Sequence, residues 1–277
     1  MDIDIDKISK ENSKSNFFYS FAFLPKRKQY AINTVYAYCQ ISDEIADTDL
    51  PIEVKKSNMD EWKRELSLSF ENKSNFKLLN ETASVAAEFS IPRSLFFELL
   101  EGMDMDLNNR RYDTFADLER YCYKVASVVG LMTSKIFGYK HHETEQYAIT
   151  LGKALQLTNI LRDVKNDSVM GRIYLPKDDM ERFSVTDSDI KDERLTDNLI
   201  QLLKNYYDKA LNYYRTAEAI INPEDRRNFR VARIMKNIYF AILKKIEAQN
   251  FDVFKGNFKL SKFEKIKIAL NTFIFDR

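Results

Sequence analysis

Four aspartates carry the clearest chemical signal in the sequence. Asp43-Glu-Ile-Ala-Asp47 spaces two carboxylates four residues apart. On a helix they lie one turn apart on the same face. Alone the spacing is weak, because a chain this acidic places such pairs on solvated faces by chance. The surroundings strengthen it. Tyr36, Gln40, Asp43 and Asp47 form an i, i+4, i+7, i+11 stripe, and Val35, Ala37, Cys39, Ile41 and Ile45 around it are apolar. A helix apolar around its girth is buried, and its carboxylates need a counter-charge. A second stretch repeats the arrangement: Gln156, Asn159, Asp163 and Asp167 are polar among Leu155, Leu157, Ile160, Leu161 and Val164. Hard oxygen ligands without His or Cys suit Mg²⁺, with Mn²⁺ as a substitute; Mg²⁺ completes its shell with water and substrate phosphate. The bland alternative is a set of interhelical salt bridges. The residues predict a Mg²⁺–diphosphate cleft with Asp43, Asp47, Asp163 and Asp167 as metal ligands.

The elements that must hold these stripes read as helices. The chain has 277 residues, with only 6 Gly and 5 Pro, too few for turn-rich sandwiches or doubly wound sheets. No run alternates with period two for more than a few residues, and no repeat or linker stands out. The pattern predicts an all-α single domain over residues 1–277. Its helices are expected at residues 26–47, 51–70, 76–89, 90–107, 114–137, 143–167, 196–221, 224–250 and 261–275. Ser90 reads as an N-cap ahead of Pro92, and Thr114 with Asp117 as a capping box. Residues 168–192 read as a polar, turn-prone connection. Trp62 is expected in the core.

Charge and composition narrow the partners. Lys plus Arg (43) balances Asp plus Glu (42), so no overall field draws in nucleic acid. The acidic start, Met1-Asp-Ile-Asp-Ile-Asp, is unlike a signal peptide. The uncharged stretch from Ser15 to Pro25 is shorter than the about 20 residues that span a bilayer. Two cysteines, Cys39 and Cys122, argue against a disulfide framework and for a reducing cytoplasm. Peripheral membrane contact stays open. His141-His142 is expected as an exposed pair after a helix end. Arg226-Arg227 and the lysine-rich end (Lys255, Lys259, Lys262, Lys265, Lys267) could bind diphosphate or an anionic membrane surface, and a solvated face is preferred. No Gly-rich phosphate loop is present.

Several blocks, in order, resemble the squalene/phytoene synthase family. They are Tyr36-Ala-Tyr-Cys-Gln-Ile-Ser-Asp43-Glu-Ile-Ala-Asp47, Gly102-Met-Asp-Met-Asp106-Leu with Arg111-Tyr112-Asp-Thr114, Tyr121-Cys-Tyr123-Lys-Val-Ala-Ser-Val-Val-Gly130, and Asn159-Ile-Leu-Arg-Asp163-Val-Lys-Asn-Asp167 followed by Gly171-Arg172-Ile-Tyr174-Leu-Pro176. Ser13-Lys-Ser15-Asn matches loosely. The resemblance implies an isoprenoid-synthase helical bundle with a central cleft. It also implies a head-to-head (1′–1) condensation of two prenyl diphosphates, farnesyl or geranylgeranyl, giving phytoene or presqualene diphosphate and squalene-type products. NADPH use stays open.

Under the resemblance Asp43 and Asp163 serve catalysis as metal ligands, and Tyr123 matches the family's catalytic tyrosine. Tyr239 falls where the family often has a cavity tyrosine. Gln40, Gln156 and Asn159 would bind substrate. Arg162 leans off the acidic stripe and would pair with its carboxylates, while Arg172 and Tyr174 would sit in a loop over the diphosphates. Two departures stand out: Gln40 replaces an arginine usual in the family, and Asn166 replaces a common Glu. The alternatives are a head-to-tail synthase or terpene cyclase of the same fold, or a non-catalytic assembly-factor relative.

Overall fold

The computed structural model describes residues 24–108 and 111–275. The Ser13–Asn16 match and most of the uncharged stretch before Pro25 lie outside these residues. The described residues are mostly helical. The elements are α1 (Lys26–Asp47), α2 (Ile52–Ser69), α3 (Lys77–Glu88), α4 (Arg93–Leu107) and α5 (Phe115–Cys122), then a π-helical turn (Tyr123–Ser127), α6 (Val128–Phe137) and α7 (Glu143–Val169). After α7 come two short helices, α8 (Lys177–Arg182) and α9 (Asp187–Lys191), then α10 (Asp197–Ile220), α11 (Arg230–Ala248) and α12 (Lys262–Phe275). No strand occurs among the described residues, and none of their helices is long and apolar enough to cross a membrane.

Helix α7 is the axle. It packs against α10, the π turn, α6 and α11, and its buried residues, such as Tyr147, Leu151, Leu157 and Leu161, point in several directions. That all-round burial explains why its apolar residues show no single stripe. Glycines let the neighbours close in. A Cβ on Gly152 would sit 2.6 Å from the Ser127 Cα, and one on Gly130 would sit 2.9 Å from the Ala148 carbonyl oxygen. Both obstacles are backbone, so nothing can rotate away. Gly152→Ala is expected to destabilise the fold by about 1–3 kcal/mol through overpacking, read as a lowered urea midpoint at unchanged m-value. A wild-type midpoint would show that the π turn can retreat from α7.

Local capping follows the sequence in one place and departs from it in another. Thr114 and Asp117 form the expected capping box on α5. Ser90 is no N-cap. It takes a left-handed backbone (φ 53°) after α3, and the Ile91 N–H reaches back to the Ala86 carbonyl at 2.8 Å, the closure of a helix C-terminus. Pro92 then occupies the N-cap of α4. The helix expected over 224–250 starts only at Arg230. The cause is Asp225, which is buried and accepts hydrogen bonds from the Lys140 and His141 amides and the Thr144 hydroxyl. His142 is exposed and His141 half-buried. The turn-prone 168–192 connection holds α8 and α9.

Trp62 is fully buried beneath α1. Its ring stacks on Tyr38, and its indole N–H donates to the Ser42 hydroxyl at 3.0 Å. This contact fixes the rotation of α1, so that Gln40, Asp43 and Asp47 face the interior cavity instead of α2.

Candidate active site

A cavity of about 550 Å³ runs between α1, α4, the π turn, α6, α7 and α11. Along α1 its lining extends from Ile32 to Asp47, a distance of about 22 Å at the helical rise. One end is apolar, walled by Ile32, Phe137, Tyr147 and Phe229. The other end is acidic. There Asp43 and Asp47 of α1 face Asp163 and Asp167 of α7, with Asp106 of α4 between the two pairs.

Two arginines neutralise part of this charge. Arg162 grips Asp163 with both prongs, Nε to Oδ1 at 2.9 Å and Nη2 to Oδ2 at 2.5 Å. Arg172 crosses the cleft to Asp47, Nη1 to Oδ1 at 2.5 Å, and its Nη2 donates to the Ala46 carbonyl. The backbone after α7 aims it there. Gly171 adopts φ 78°, and the Arg172 amide caps α7 by donating to the Asp167 carbonyl at 2.8 Å. The rest of the loop is anchored, with the Lys177 and Asp178 amides bonded to the Tyr112 and Asp113 carbonyls.

Three carboxyls remain costly to ionise. Burial, then the charge of Asp47 and Asp106, pushes Asp43 up to about 7. Burial and Asp163 push Asp167 up to about 8, against the pull of Arg172. Burial raises Asp106 to about 6, opposed by its tyrosine partners and Arg172. The folded ligand-free protein therefore binds protons more tightly than the unfolded chain, whose aspartates titrate near 3.8. By linkage this stabilisation is full below the unfolded-chain value and is lost progressively as pH rises from there through about 6 to 8. Melting scans of the ligand-free protein are expected to show that fall, and Mg²⁺ with inorganic diphosphate is expected to reduce it. A melting temperature flat across this window would contradict the burial of these groups.

Such a donor set fits a divalent cation. It offers hard oxygens from two facing pairs in a site with more carboxylates than arginines. Among the described residues no three His, Cys, Asp or Glu side chains converge to cage an ion by themselves. Mg²⁺ asks for less: one or two carboxylates plus water and phosphate oxygens.

Eleven of the twelve residues singled out from the sequence line the cavity. They are the four aspartates, then Gln40, Gln156, Asn159, Arg162, Arg172, Tyr174 and Tyr239. Tyr239 reaches from α11 and accepts a hydrogen bond from Arg162. Tyr123 is the exception. It is half-buried outside the cavity, and its hydroxyl bonds to Glu98 on α4, which together with burial raises its pKa. Of the neighbouring tyrosines on this stretch, the one that lines the cavity is Tyr121, two residues earlier and therefore about 200° away around the helix. Its hydroxyl donates to Asp106 Oδ2 at 2.8 Å, while Tyr174 donates to Oδ1 at 2.7 Å. The two rings stack at 5.1 Å.

Asp106 and Tyr121 were not among the residues singled out. A signal for Asp106 was present: it shares the apolar stripe of Leu99 and Met103 on α4, whereas Asp104 turns outward to Lys63.

Comparison with known proteins agrees with this geometry. The family model described as squalene/phytoene synthase matches residues 10–264. The chain belongs to the squalene/phytoene synthase family. It is 31% identical over 257 residues to a presqualene diphosphate synthase of Rhodopseudomonas palustris, covering 92% of each chain. It is 32% identical over 253 residues to a 15-cis-phytoene synthase of Synechococcus elongatus, covering 86% of this chain and 82% of that one. Among solved structures, a dehydrosqualene synthase crystallised with a ligand superposes with a TM-score of 0.84 at 30% identity, covering 97% of this chain and 95% of that one. The squalene synthase HpnC from Alicyclobacillus acidocaldarius gives 0.76 at 26% identity, covering 90% and 94%.

The two departures read from the sequence fall in different places in this member of the squalene/phytoene synthase family. Asn166 is exposed on the outer side of α7, so its departure from the pattern lies off the cleft. Gln40 lies in the cleft, and its Oε1, like the Oδ1 of Asn159, is buried without a hydrogen-bond partner among the described residues.

Proposed function

We propose that this chain condenses two prenyl diphosphates, farnesyl or geranylgeranyl, head to head, releasing diphosphate and giving phytoene or presqualene diphosphate and squalene-type products. One observation carries the reading: a long apolar cavity ends in two facing aspartate pairs, which matches a substrate with a hydrocarbon tail and a diphosphate head.

Asp43, Asp47, Asp163 and Asp167 would hold Mg²⁺. Bound there, the ion would supply Lewis-acid charge to the departing diphosphate. Arg172 and Arg162 orient Asp47 and Asp163 and add positive charge beside the same oxygens. When the allylic C–O bond breaks, its electron pair leaves with diphosphate. The resulting cation lies beside Tyr121 and Tyr174, which line the same end of the cavity, and away from bulk water. The double bond of the second substrate attacks the cation, and a proton must leave to complete the new carbon–carbon linkage. The Tyr121 oxygen accepts that proton while its own passes to Asp106, so Tyr121 ends neutral and Asp106 protonated. A squalene-type product additionally requires a hydride, which NADPH would supply.

Incubating the purified chain with Mg²⁺ and either diphosphate, with and without NADPH, followed by product mass, tests the reading. A C30 or C40 hydrocarbon or presqualene diphosphate is expected. No diphosphate release from either substrate would overturn it. Gln40 offers a finer probe. An arginine there replaces a neutral amide bond with a charge-assisted one, commonly worth about 1.5–3 kcal/mol. Gln40→Arg is therefore expected to lower the apparent KM about tenfold. An unchanged or higher KM would place Gln40 away from the diphosphate.

A further inference from the structure

Helix α12 packs one side on α11. Ala269 and Thr272 are buried there, the Asn237 amide donates to the Thr272 hydroxyl at 2.8 Å, and Lys245 pairs with Glu264 at 2.9 Å. The opposite side is apolar and is covered by none of the described residues. Phe263 is 76% exposed, Ile266 42%, Leu270 46% and Ile274 54%. Their i, i+3, i+7, i+11 spacing confines them to an arc of about 80°. This apolar stripe is a feature of the solvent side, separate from the stripe that holds the helix to the bundle.

The charge of the segment that leads into it is mostly positive. Residues 255–267 contain Lys255, Lys259, Lys262, Lys265 and Lys267 against a single acid, Glu264, and that acid is already paired with Lys245. The whole chain carries only +1, so the basic charge is concentrated locally. Lys262 and Lys267 are exposed and flank the apolar stripe. The basic segment begins immediately after Phe254, whose carbonyl accepts from Lys165 between Asp163 and Asp167. It therefore adjoins the acidic end of α7.

We propose that the outer face of α12 docks on an anionic phospholipid bilayer, with Phe263, Ile266, Leu270 and Ile274 entering the headgroup–acyl boundary and the flanking lysines meeting lipid phosphates. This amphipathic pattern is that of a helix lying in the membrane interface. A second copy of the chain fits less well. A two-fold contact would set the same lysines against each other, and four side chains on one helix supply far less than the about 800 Å² per partner of a stable interface. The proposal does not depend on the reaction assigned to the cavity.

Co-sedimentation of the full chain with vesicles of phosphatidylcholine, with and without phosphatidylglycerol, tests it. Binding is expected only with phosphatidylglycerol, and it should weaken as salt rises. The double variant Phe263→Asp, Ile266→Asp should lose binding at least about tenfold. It should keep its melting temperature and its turnover of detergent-solubilised prenyl diphosphate. A second variant, Lys262→Gln with Lys267→Gln, leaves the apolar stripe intact and should weaken binding to the anionic vesicles alone. Absence of binding to phosphatidylglycerol vesicles, or wild-type binding by both variants, would overturn the proposal. So would conversion of a dimer to a monomer by the aspartate variant, which would identify a second copy as the occupant. A marked fall in its melting temperature would overturn it too, by identifying another part of this chain as the cover.

Discussion

Asp43→Asn is expected to lower kcat about 10³-fold or more while raising the melting temperature of the ligand-free chain at neutral and alkaline pH. The two effects share one cause. Burial and the neighbouring carboxylates make a charged Asp43 unfavourable, which is why its pKa is pushed up to about 7. Asparagine keeps the shape and removes the charge, so the ligand-free fold loses a repulsion. The same charge is what a divalent cation would require. Removing one carboxylate ligand forfeits several kcal/mol of transition-state stabilisation, and each 1.36 kcal/mol is tenfold in rate. Asp167→Asn, whose parent carboxyl is raised to about 8, is expected to behave alike. Asp163→Asn should cost as much activity without the gain in stability, because it abandons the paired Arg162 guanidinium. Stopped activity with an unchanged or lower melting temperature for Asp43→Asn would show that this charge is already neutralised in the ligand-free state. Turnover close to wild type would remove Asp43 from the metal site.

Tyr121→Phe should reduce product formation by about 10²-fold, in the range of a lost general acid–base group, whereas Tyr123→Phe should leave it nearly unchanged. Tyr121 faces the cavity with its hydroxyl on Asp106, and phenylalanine keeps the ring that stacks on Tyr174. The loss is therefore expected in coupling of the two substrates and not in diphosphate release. Measuring the two separately in each variant distinguishes proton transfer from cation shielding. If Tyr123→Phe were the damaging change, Tyr123 and not Tyr121 would be the tyrosine that meets substrate. If Tyr121→Phe slowed release and coupling equally, the tyrosine would act before the carbon–carbon bond forms. Asp106→Asn should resemble Tyr121→Phe, since both break the same relay.

The extent to which the site could be read from residues alone tracks the range of the forces involved. The first and second acidic pairs were legible because a helix fixes which residues share a face, and α1 runs from Lys26 to Asp47 as the pattern required. The Thr114–Asp117 box was legible because its hydrogen bonds close within four residues. Scarce Gly and Pro with no period-two run pointed correctly to helices throughout. Near-neighbour chemistry failed at Ser90, where the seryl side chain suggested a start but the Ile91–Ala86 bond made it an end.

The remaining features depended on how helices rotate against one another. Spacing leaves Tyr121 and Tyr123 as equal candidates, since each belongs to the same apolar helix. The packing of α4 against the π turn, close enough that a Cβ on Gly102 would meet Val125 Cγ1 at 2.6 Å, turns Tyr121 inward and Tyr123 toward Glu98. Asp106 became visible as a third carboxylate only when α4 brought it between the two pairs. Arg172 found Asp47, 125 positions away in sequence, because Gly171 bends the chain back over the cleft. The apolar stripe of α12 could not be told from a core face until α11 had covered the other side. Periodicity states that a helix has faces; only the arrangement of its neighbours decides which face is left to water, to a partner or to chemistry.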